Sequence, residues 1–418
     1  MKHLIVQNVG PINHIDVELK RFNFLIGSQS SGKSTIAKIY STCSWMEKEM
    51  ATTLNEKVFE NGDAFVKKME TFHKMKGYFS DISYISYETD IVSIIYENRE
   101  LLTKLKARYD YKRIKICYVP AERNMVTLPE LRGFEFGATN VRSFLFDWLN
   151  AKKLYNLDNK SNILNLGLQY YYDGDKEADQ DRITHVNGKT YDIPLASASS
   201  GVQSLTPLLI MFQYYTDAYF KTYDNFTSFD YDEKQRMLKY NLTDELVLEQ
   251  LFPNFDRSKR HELIKEINDM YRNRDSRIMP LHKTYQKTLE NLTIPIRTSF
   301  IVEEPEQNLF PYTQLQLLDA VAALCQNGRQ HELFFTTHSP YIINYLNVML
   351  RRSQEEGKPY ISADDMMIQM VMGGKLQNLL AVDERNGERV VDTYDLREPI
   401  ETIFRQYKQL GDEVTAGK

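Results

Sequence analysis

Apolar and polar positions near the amino terminus follow a pattern that predicts a β-hairpin and then a strand–loop–helix unit. The apolar run 4–6 and the segment 15–19, which alternates strictly between apolar and polar side chains, flank a Gly-Pro turn. Alternation of this kind is typical of half-buried strands. The apolar run 22–26 predicts a further strand, and the segment 35–39 predicts the start of a helix.

The next part of the chain is rich in tyrosine and β-branched residues and predicts more strands. The runs 82–87, 91–96 and 114–119 are interpreted as strands, whereas the charged segment 98–108 is interpreted as a helix. Six basic residues cluster here: Lys104, Lys106, Arg108, Lys112, Arg113 and Lys115. We interpret this cluster as a solvated helix end, with a patch that contacts phosphates as the alternative.

The middle of the chain predicts a hairpin, an apolar helix and a polar helical region. The segments 182–186 and 189–193 are joined by Asn187-Gly188, a pair favoured in type I′ turns. An apolar helix runs from Gln203 to about residue 223. The following residues are charged and carry apolar side chains at helical intervals. They predict a helical insertion without the sustained heptads of a coiled coil.

The last part of the chain returns to alternating strands and helices. The strand-like runs 299–302 and 333–336 flank a helix from about 312 to 325, an order that favours a parallel sheet covered on both faces. An Asn-Gly hairpin and a helix over 399–410 follow. The predicted fold class is α/β, with a mixed or parallel sheet core, an antiparallel β subdomain and a helical insertion. The expected divisions are a core of residues 1–222 and 292–345, the insertion at 223–291, and a C-terminal hairpin and helix extension at 346–418.

Composition indicates where in the cell we expect the protein and which kinds of partner we expect for it. It has 418 residues, a formal net charge of −5 and three widely separated cysteines, which fit neither a zinc site nor a disulfide framework. No apolar segment approaches the roughly 20 residues that cross a bilayer, and the apolar part of the amino terminus is too short for a signal peptide. We therefore expect a cytoplasmic protein without a membrane partner. The negative charge gives no support for nucleic acid as a partner.

The loop between the strand 22–26 and the helix 35–39 matches the string G-x-x-x-x-G-K-[ST]. Its glycines let backbone N–H groups turn toward phosphate oxygens at a helix N-terminus. Lys33 would reach the β- and γ-phosphates of a nucleotide, and the Ser34 hydroxyl would bind Mg²⁺. A plain helix-capping turn is the other interpretation, which the strand–loop–helix context disfavours. The residues expected to bind the nucleotide here are Gly27, Ser28, Gln29, Ser30, Ser31, Gly32, Lys33, Ser34 and Thr35.

Two acids and a histidine follow the later strands in the positions that phosphoryl transfer needs. Glu303 and Glu304 end the run that begins at Phe300. We expect Glu303 to hold Mg²⁺ and Glu304 to act as a general base or to position the attacking water. His338 follows the next strand and would contact the γ-phosphate or that water. The alternative for each is a solvated group at a strand end. Lys33, Glu304 and His338 are therefore the expected catalytic residues.

A small-residue turn opens the apolar helix and offers a second helix N-terminus for an anion. Its candidate nucleotide-binding residues are Ser199, Ser200, Gly201 and Gln203. A plain N-cap would explain the serines equally well. The order along the chain carries more weight than this turn alone: the glycine-rich loop, the serine turn, the paired glutamates and then the histidine.

This order resembles that of an ABC-type ATPase head of the RecF/SMC/OLD superclass, whose stand-alone bacterial members are often described as AAA family ATPases. The resemblance covers most of the chain and makes residues 27–34 Walker A, 199–203 the signature, 300–304 Walker B and 305–311 the D-loop region. Residues 303–311 are similar to the Glu-Glu-Pro-Glu-x-x-Leu-His-Pro motif of those members, with Phe310 in the place of the histidine.

The same resemblance makes residues 118–123 a strand-end motif. It would bring Arg123 close to the bound nucleotide, and a structural salt bridge is the alternative for that arginine.

The resemblance implies a mechanism in which two heads enclose two ATP molecules. Ser200 and Gly201 of one copy would contact the γ-phosphate held by the other, and hydrolysis would open the dimer. The expected partners are a second copy of the chain, in a homodimer or higher oligomer, and a separate effector protein. Stand-alone heads of this type recur in two-gene antiphage defence systems.

Several departures and alternatives accompany the resemblance. Gln29 replaces a common asparagine, Glu303 replaces the more usual aspartate, and Val202 occupies the second glycine position of the signature. About 80 residues follow His338, fewer than a typical domain, so we expect no TOPRIM domain and no nuclease activity. A DNA-binding ATPase of RecF or SMC type is the main alternative function. A transporter subunit and a small-molecule kinase fit the motifs less well.

Overall fold

The computed structural model describes residues 2–128, 137–176, 180–186, 191–355 and 361–416. The strands are β1 Lys2–Val9, β2 Ile12–Leu19, β3 Phe22–Gly27, β4 Tyr84–Glu88, β5 Val92–Glu97, β6 Glu100–Leu105, β7 Ile114–Val119, β8 Ser161–Asn162, β9 Leu168–Tyr172, β10 Asp181–His185, β11 Asp192–Pro194, β12 Arg297–Glu303, β13 Glu332–Thr337, β14 Met366–Met372, β15 Lys375–Asn378, β16 Leu380–Val382 and β17 Arg389–Val391. The helices are α1 Lys33–Thr53, α2 Gly62–Phe72, α3 Asn140–Ala151, α4 Ser200–Gln213, α5 Tyr219–Lys221, α6 Glu233–Thr243, α7 Glu249–Leu251, α8 Arg260–Arg272, α9 Ile278–Thr293, α10 Pro311–Cys325, α11 Pro340–Glu355 and α12 Glu398–Ala416.

A six-stranded sheet in the order β15-β14-β3-β13-β12-β7 forms the core. Neighbouring strands from β14 to β7 pair in parallel, and β15 adds an antiparallel edge. The predicted α/β class with a mixed, largely parallel core is therefore confirmed. Strand β14 lies in the range expected to form a C-terminal extension, yet it pairs directly with β3. The division expected at residue 346 thus does not coincide with an edge of the sheet.

Two antiparallel sheets accompany the core, in the orders β2-β1-β4-β5-β6 and β11-β10-β9-β8. The helix expected over 98–108 is wrong, because this segment contains strand β6. Asn98 and Arg99 both have left-handed backbones, with φ of 51° and 62°, so they form a two-residue turn that pairs β6 with β5. The Asn187-Gly188 turn lies outside the described residues, although β10 and β11 do pair with each other.

The core sheet buries apolar side chains on both of its faces. Alternate residues of β3 point to opposite sides: Phe24 contributes to a cluster that includes side chains of α4, α10 and α11, and Leu25 contributes to a cluster that includes side chains of α1, α2 and the five-stranded sheet. On the first side, Phe335 packs edge-on against Phe24, with their ring centres 5.8 Å apart. The sheet is therefore covered on both faces, as its apolar strands require.

Residues 224–291 form helices, as predicted for the insertion. Leu238 and Leu242 of α6 are buried in the same cluster as Ile36 and Ile39 of α1. Helix α9 leads into β12, and the Asn291 carbonyl oxygen accepts a hydrogen bond from the Arg113 N–H, 2.8 Å away. The insertion is thus packed against the helix that follows the glycine-rich loop. Among the described residues, no helix combines the length and the apolar character needed to cross a membrane.

Replacing Phe335 with alanine should lower the free energy of unfolding by about 3–5 kcal/mol, because it leaves a cavity beneath the central strands. Chemical denaturation in urea measures this change. Phe310→Ala is the matched control, since the side chain of Phe310 is 74% exposed and its loss should cost less than about 0.5 kcal/mol. Equal losses in the two variants would contradict the packing described here.

Candidate functional site

The glycine-rich loop, residues 27–34, connects the end of β3 to the first turn of α1. A Cβ atom on Gly27 would lie 2.4 Å from the Val371 carbonyl oxygen of β14, and Gly32 has a left-handed backbone with φ of 109°. Both positions therefore require glycine. Ser28, Gln29 and Ser30 are exposed, whereas Thr35 is buried behind the loop. The loop opens its serine-rich side to solvent at the N-terminus of a long helix, which is an arrangement suited to phosphate.

Lys33 folds back over this loop. Its Nζ donates hydrogen bonds to the carbonyl oxygens of Gly27 and Ser28, at 2.9 and 2.8 Å. Burial lowers the pKa of Lys33 to about 8, although the carboxylates of Glu304 and Glu306 act in the opposite direction. The loop thus holds a partly desolvated cation at the place where a phosphate would lie.

Glu303 ends β12 close to the first turn of α1. Its carboxylate accepts a hydrogen bond from the Tyr118 hydroxyl, and the Ser34 side chain lies close enough to favour its charged form. Burial raises the pKa of Glu303, and the nearby Lys38, Tyr118 and Ser34 partly counteract that effect. Mg²⁺ is commonly held by one or two carboxylates together with phosphate and water oxygens. The carboxylate–hydroxyl pair of Glu303 and Ser34 therefore fits the expected metal.

Glu304 and His338 complete a chain of polar contacts to Lys33. The His338 Nε2 atom lies 3.6 Å from a carboxylate oxygen of Glu304, and the His338 Nδ1 atom lies 3.4 Å from the Lys33 Nζ. The two ring nitrogens of His338 therefore face one cationic and one anionic side chain. The structure thus brings together Lys33, Glu304 and His338, although Lys33 is about 300 positions from the other two in sequence.

The backbone at Glu304 is unusual, and several hydrogen bonds hold it. Its φ is 46°, a left-handed conformation that is uncommon for a residue with a side chain. Its N–H donates to the Thr336 carbonyl oxygen at 2.8 Å. Such a backbone persists where the surroundings fix it, and here it turns the Glu304 side chain toward His338.

The position of Arg123 corrects the expectation that this residue binds the nucleotide. The side chain is fully buried, and its guanidinium donates to the carbonyl oxygens of Ser204, Glu303 and Glu304 at 3.1, 2.9 and 2.8 Å. Burial lowers its pKa to about 10, while the carboxylates of Glu306, Glu304 and Glu303 favour the charged form. Arg123 therefore positions the end of β12 instead of contacting a ligand, and this role is neither of the two that the sequence suggested.

The serine turn, residues 199–203, lies against the loop after Glu304. A Cβ atom on Gly201 would come within 2.8 Å of the Asn308 carbonyl oxygen, so this contact requires glycine. The Gln203 side chain donates to the carbonyl oxygens of Ala196 and Ala198 and closes the turn. Ser199 and Ser200 are exposed. Within the described part of the chain, no hydrogen bond joins these residues to the glycine-rich loop.

Two residues of the site were not assigned a role from the sequence. Tyr118 fixes the Glu303 carboxylate, and Glu306 accepts a hydrogen bond from the His338 N–H at 2.6 Å. The second carboxylate oxygen of Glu306 is buried without a hydrogen-bond partner. Both residues lie in segments that the motif comparison had singled out, 118–123 and 303–311, but nothing in the sequence shows which side chain each would meet.

A cavity of about 570 Å³ lies next to the glycine-rich loop. Its lining includes Gly27, Ser28, Gln29 and His338, together with residues of β14 and of the first turn of α12. Lys33, Ser34, Glu303 and Glu304 do not line it. Its volume is within the range of about 300–1,000 Å³ that small-molecule sites occupy. The loop therefore faces a space that can hold a ligand of nucleotide size.

No protein-family model matches the sequence, and a search of curated proteins gave no match. Solved structures that a structural comparison matches to this chain include the SMC head domain from Thermotoga maritima, at 8% identity and a TM-score of 0.37, covering 91% of this chain and 98% of that one. A dimeric bacterial ABC transporter cassette has 11% identity and a TM-score of 0.29, covering 90% and 97%. The recombination mediator RecF has 11% identity and a TM-score of 0.30, with the same coverage. TM-scores of this size, at these identities, carry no conclusion about the function of this chain.

Arg123→Met should lower the free energy of unfolding by about 2–4 kcal/mol, because it leaves several buried carbonyl oxygens without donors. ATP affinity should change by less than about threefold, since the glycine-rich loop is untouched. Urea denaturation and calorimetric titration measure the two quantities. Arg123→Lys keeps the charge but not the planar set of donors. Its free energy of unfolding should lie between those of the unmutated chain and Arg123→Met. A large loss of ATP affinity at unchanged stability would instead indicate direct contact with the nucleotide.

Proposed function

We propose that this chain is an ABC-type ATPase that binds ATP with Mg²⁺ and hydrolyses it. The observation that carries this proposal is the convergence of Lys33, His338 and Glu304, through contacts of 3.4 and 3.6 Å, beside the Ser34–Glu303 pair. These groups come from the ends of three parallel strands and from a helix N-terminus. Phosphoryl transfer depends mainly on positioning and on electrostatic stabilisation, and this site offers both.

Each residue has a defined task under this proposal. Lys33 would exchange its loop carbonyls for the β- and γ-phosphate oxygens, and the N–H groups of the loop would bind the remaining oxygens. Ser34 and Glu303 would hold Mg²⁺, which neutralises charge on the phosphates when bound. Glu304 would accept a proton from the attacking water, and His338 would orient Glu304 relative to the γ-phosphate.

We also propose that ATP drives the association of two copies. The exposed Ser199 and Ser200 begin α4, where the first N–H groups of a helix have no partner within the helix. They form no hydrogen bond with the glycine-rich loop of the same chain, among the described residues. A second copy could present this turn to the γ-phosphate, which would complete each site across a two-fold axis. Such association would regulate a separate effector protein, and an antiphage role for that effector rests on the family resemblance alone.

DNA binding in repair or maintenance is the alternative function, and the basic cluster around β6 gives it little support. Arg108 pairs with Glu245 at 2.8 Å, and Lys115 pairs with Asp147 at 2.6 Å. Lys106 pairs with an acid as well, Glu88. Charges that are already neutralised within the chain contribute little to phosphate binding.

Glu304→Gln should lower the rate of ATP hydrolysis by about 100-fold or more, because the amide cannot accept the proton. The variant should still bind ATP, and its mass measured by light scattering should double when ATP is added. Glu384→Gln, an exposed acid on the hairpin of β16 and β17, is the matched control and should behave as the unmutated chain.

Hydrolysis by Glu304→Gln at the unmutated rate would remove Glu304 from its role. A mass that does not depend on ATP would contradict ATP-driven association but not ATP hydrolysis. Stimulation of hydrolysis by DNA, in a manner that declines steeply with salt, would favour the alternative function.

Above pH 8, the protein should take up protons when it binds a nucleotide. In the free protein the pKa of Lys33 is about 8, so the amine is largely neutral at about pH 9 and largely charged at about pH 7. Phosphate oxygens favour the charged form, so binding must protonate Lys33 at the higher pH and needs little protonation at the lower one. Titration calorimetry with a slowly hydrolysed ATP analogue, in buffers of different ionisation enthalpy, measures the uptake. Equal proton uptake at both pH values would contradict the assignment.

A further inference from the structure

The helical insertion encloses a groove that is separate from the site described above. It lies between α6, α8 and α9 and has a volume of about 630 Å³. Each helix contributes residues of one face, such as Arg236, Lys239 and Tyr240 from α6. Helix α8 buries none of its residues, so the side chains of the insertion leave the space between the helices unfilled.

Flat aromatic and guanidinium groups form the walls of this groove. The Arg260 guanidinium lies 3.6 Å from the ring centre of Tyr240. The rings of Tyr271 and His282 lie 4.6 Å apart, centre to centre. Faces of this kind stack on planar ligands, and base–aromatic stacking contributes about 1–3 kcal/mol for each base.

The groove also has an excess of positive charge. No Asp or Glu lines it, and within the described part of the chain neither Arg236 nor Lys239 forms an ion pair. The Arg260 charge is already met by Asp244, whose Oδ1 lies 2.6 Å from the Arg260 Nε. Two exposed cations on one face of α6 are thus available to an anion, next to rings that can hold a planar group.

We propose that this groove binds a nucleoside monophosphate or a closely similar planar, phosphate-bearing small molecule. Its volume is within the range of about 300–1,000 Å³ that small-molecule sites occupy. The site goes beyond the proposed ATPase function, because it shares no residue with the glycine-rich loop. The opposite face of α6 packs on α1 through Leu238 and Leu242. A ligand in the groove would therefore stabilise the packing of α6 against α1, the helix that begins at Lys33.

The test uses the full chain carrying Lys33→Ala, so that binding at the glycine-rich loop is weakened. Calorimetric titration with AMP and with GMP should show binding of at least one of them. Adenosine, which lacks the phosphate, and inorganic phosphate, which lacks the ring, should each bind about tenfold more weakly or worse. Hydrogen exchange should show added protection of α8 when the nucleotide is present.

Two charge variants locate the site. Arg236→Gln combined with Lys239→Gln should weaken nucleotide binding by about tenfold or more. Lys265→Gln is the matched control, because Lys265 is exposed on α8 and does not line the groove, and it should leave binding unchanged.

Absence of AMP and GMP binding, or equal binding in the double variant and the control, would overturn the proposal. So would preferential binding of a single-stranded oligonucleotide over the mononucleotides. These results are independent of the proposed ATPase: a chain that does not hydrolyse ATP can still bind AMP in the groove, and an active ATPase can lack this second site.

Discussion

Parallel pairing of β3, β13 and β12 is the constraint on which the candidate site depends. Backbone hydrogen bonds align Phe24 with Phe335 and Phe335 with Val302. The three strands therefore end at one edge of the sheet, where the glycine-rich loop, His338 and Glu304 begin. Ligand sites in parallel α/β sheets lie at this carboxyl edge. The two faces of the sheet carry different buried side chains: Phe24 and Phe335 lie in one cluster, and Leu25 and Phe334 lie in the other. A shift by one residue would exchange these sets between the clusters, so their packing favours the observed register.

Much of this arrangement could be predicted from the sequence. The run 22–26, the string that follows it and the acids after Phe300 each carry a local pattern, and the alternation of strands and helices favours a parallel sheet. The segment 98–108 misled the prediction because its turn residues, Asn98 and Arg99, differ from the Asn-Gly pair that marks such hairpins. Their left-handed backbones, which set the strand pairing, are not visible in composition.

The supporting groups of the site were harder to predict, because their partners are distant in sequence. Arg123 donates to carbonyl oxygens about 180 residues away, and backbone carbonyls carry no sequence signal. Tyr118 meets Glu303 across the paired strands β7 and β12, and its hydroxyl could equally have faced solvent. Motif analysis thus finds groups that touch a ligand more readily than groups that hold those residues in place.

The position of β3 in the sheet has a consequence for the synthesis of the chain. Its two neighbours, β13 and β14, are translated far later. In the folded chain, the Asn23 side chain donates a hydrogen bond to the carbonyl oxygen of Leu333, 310 residues away. Until those strands leave the ribosome, the apolar run 22–27 has no partners in the core sheet. Contacts of such long range form slowly and leave strand edges open to misassembly. The five-stranded antiparallel sheet, by contrast, has all of its strands by Leu105. The carboxyl end of β3 gains both of its neighbours only when nearly the whole chain is present.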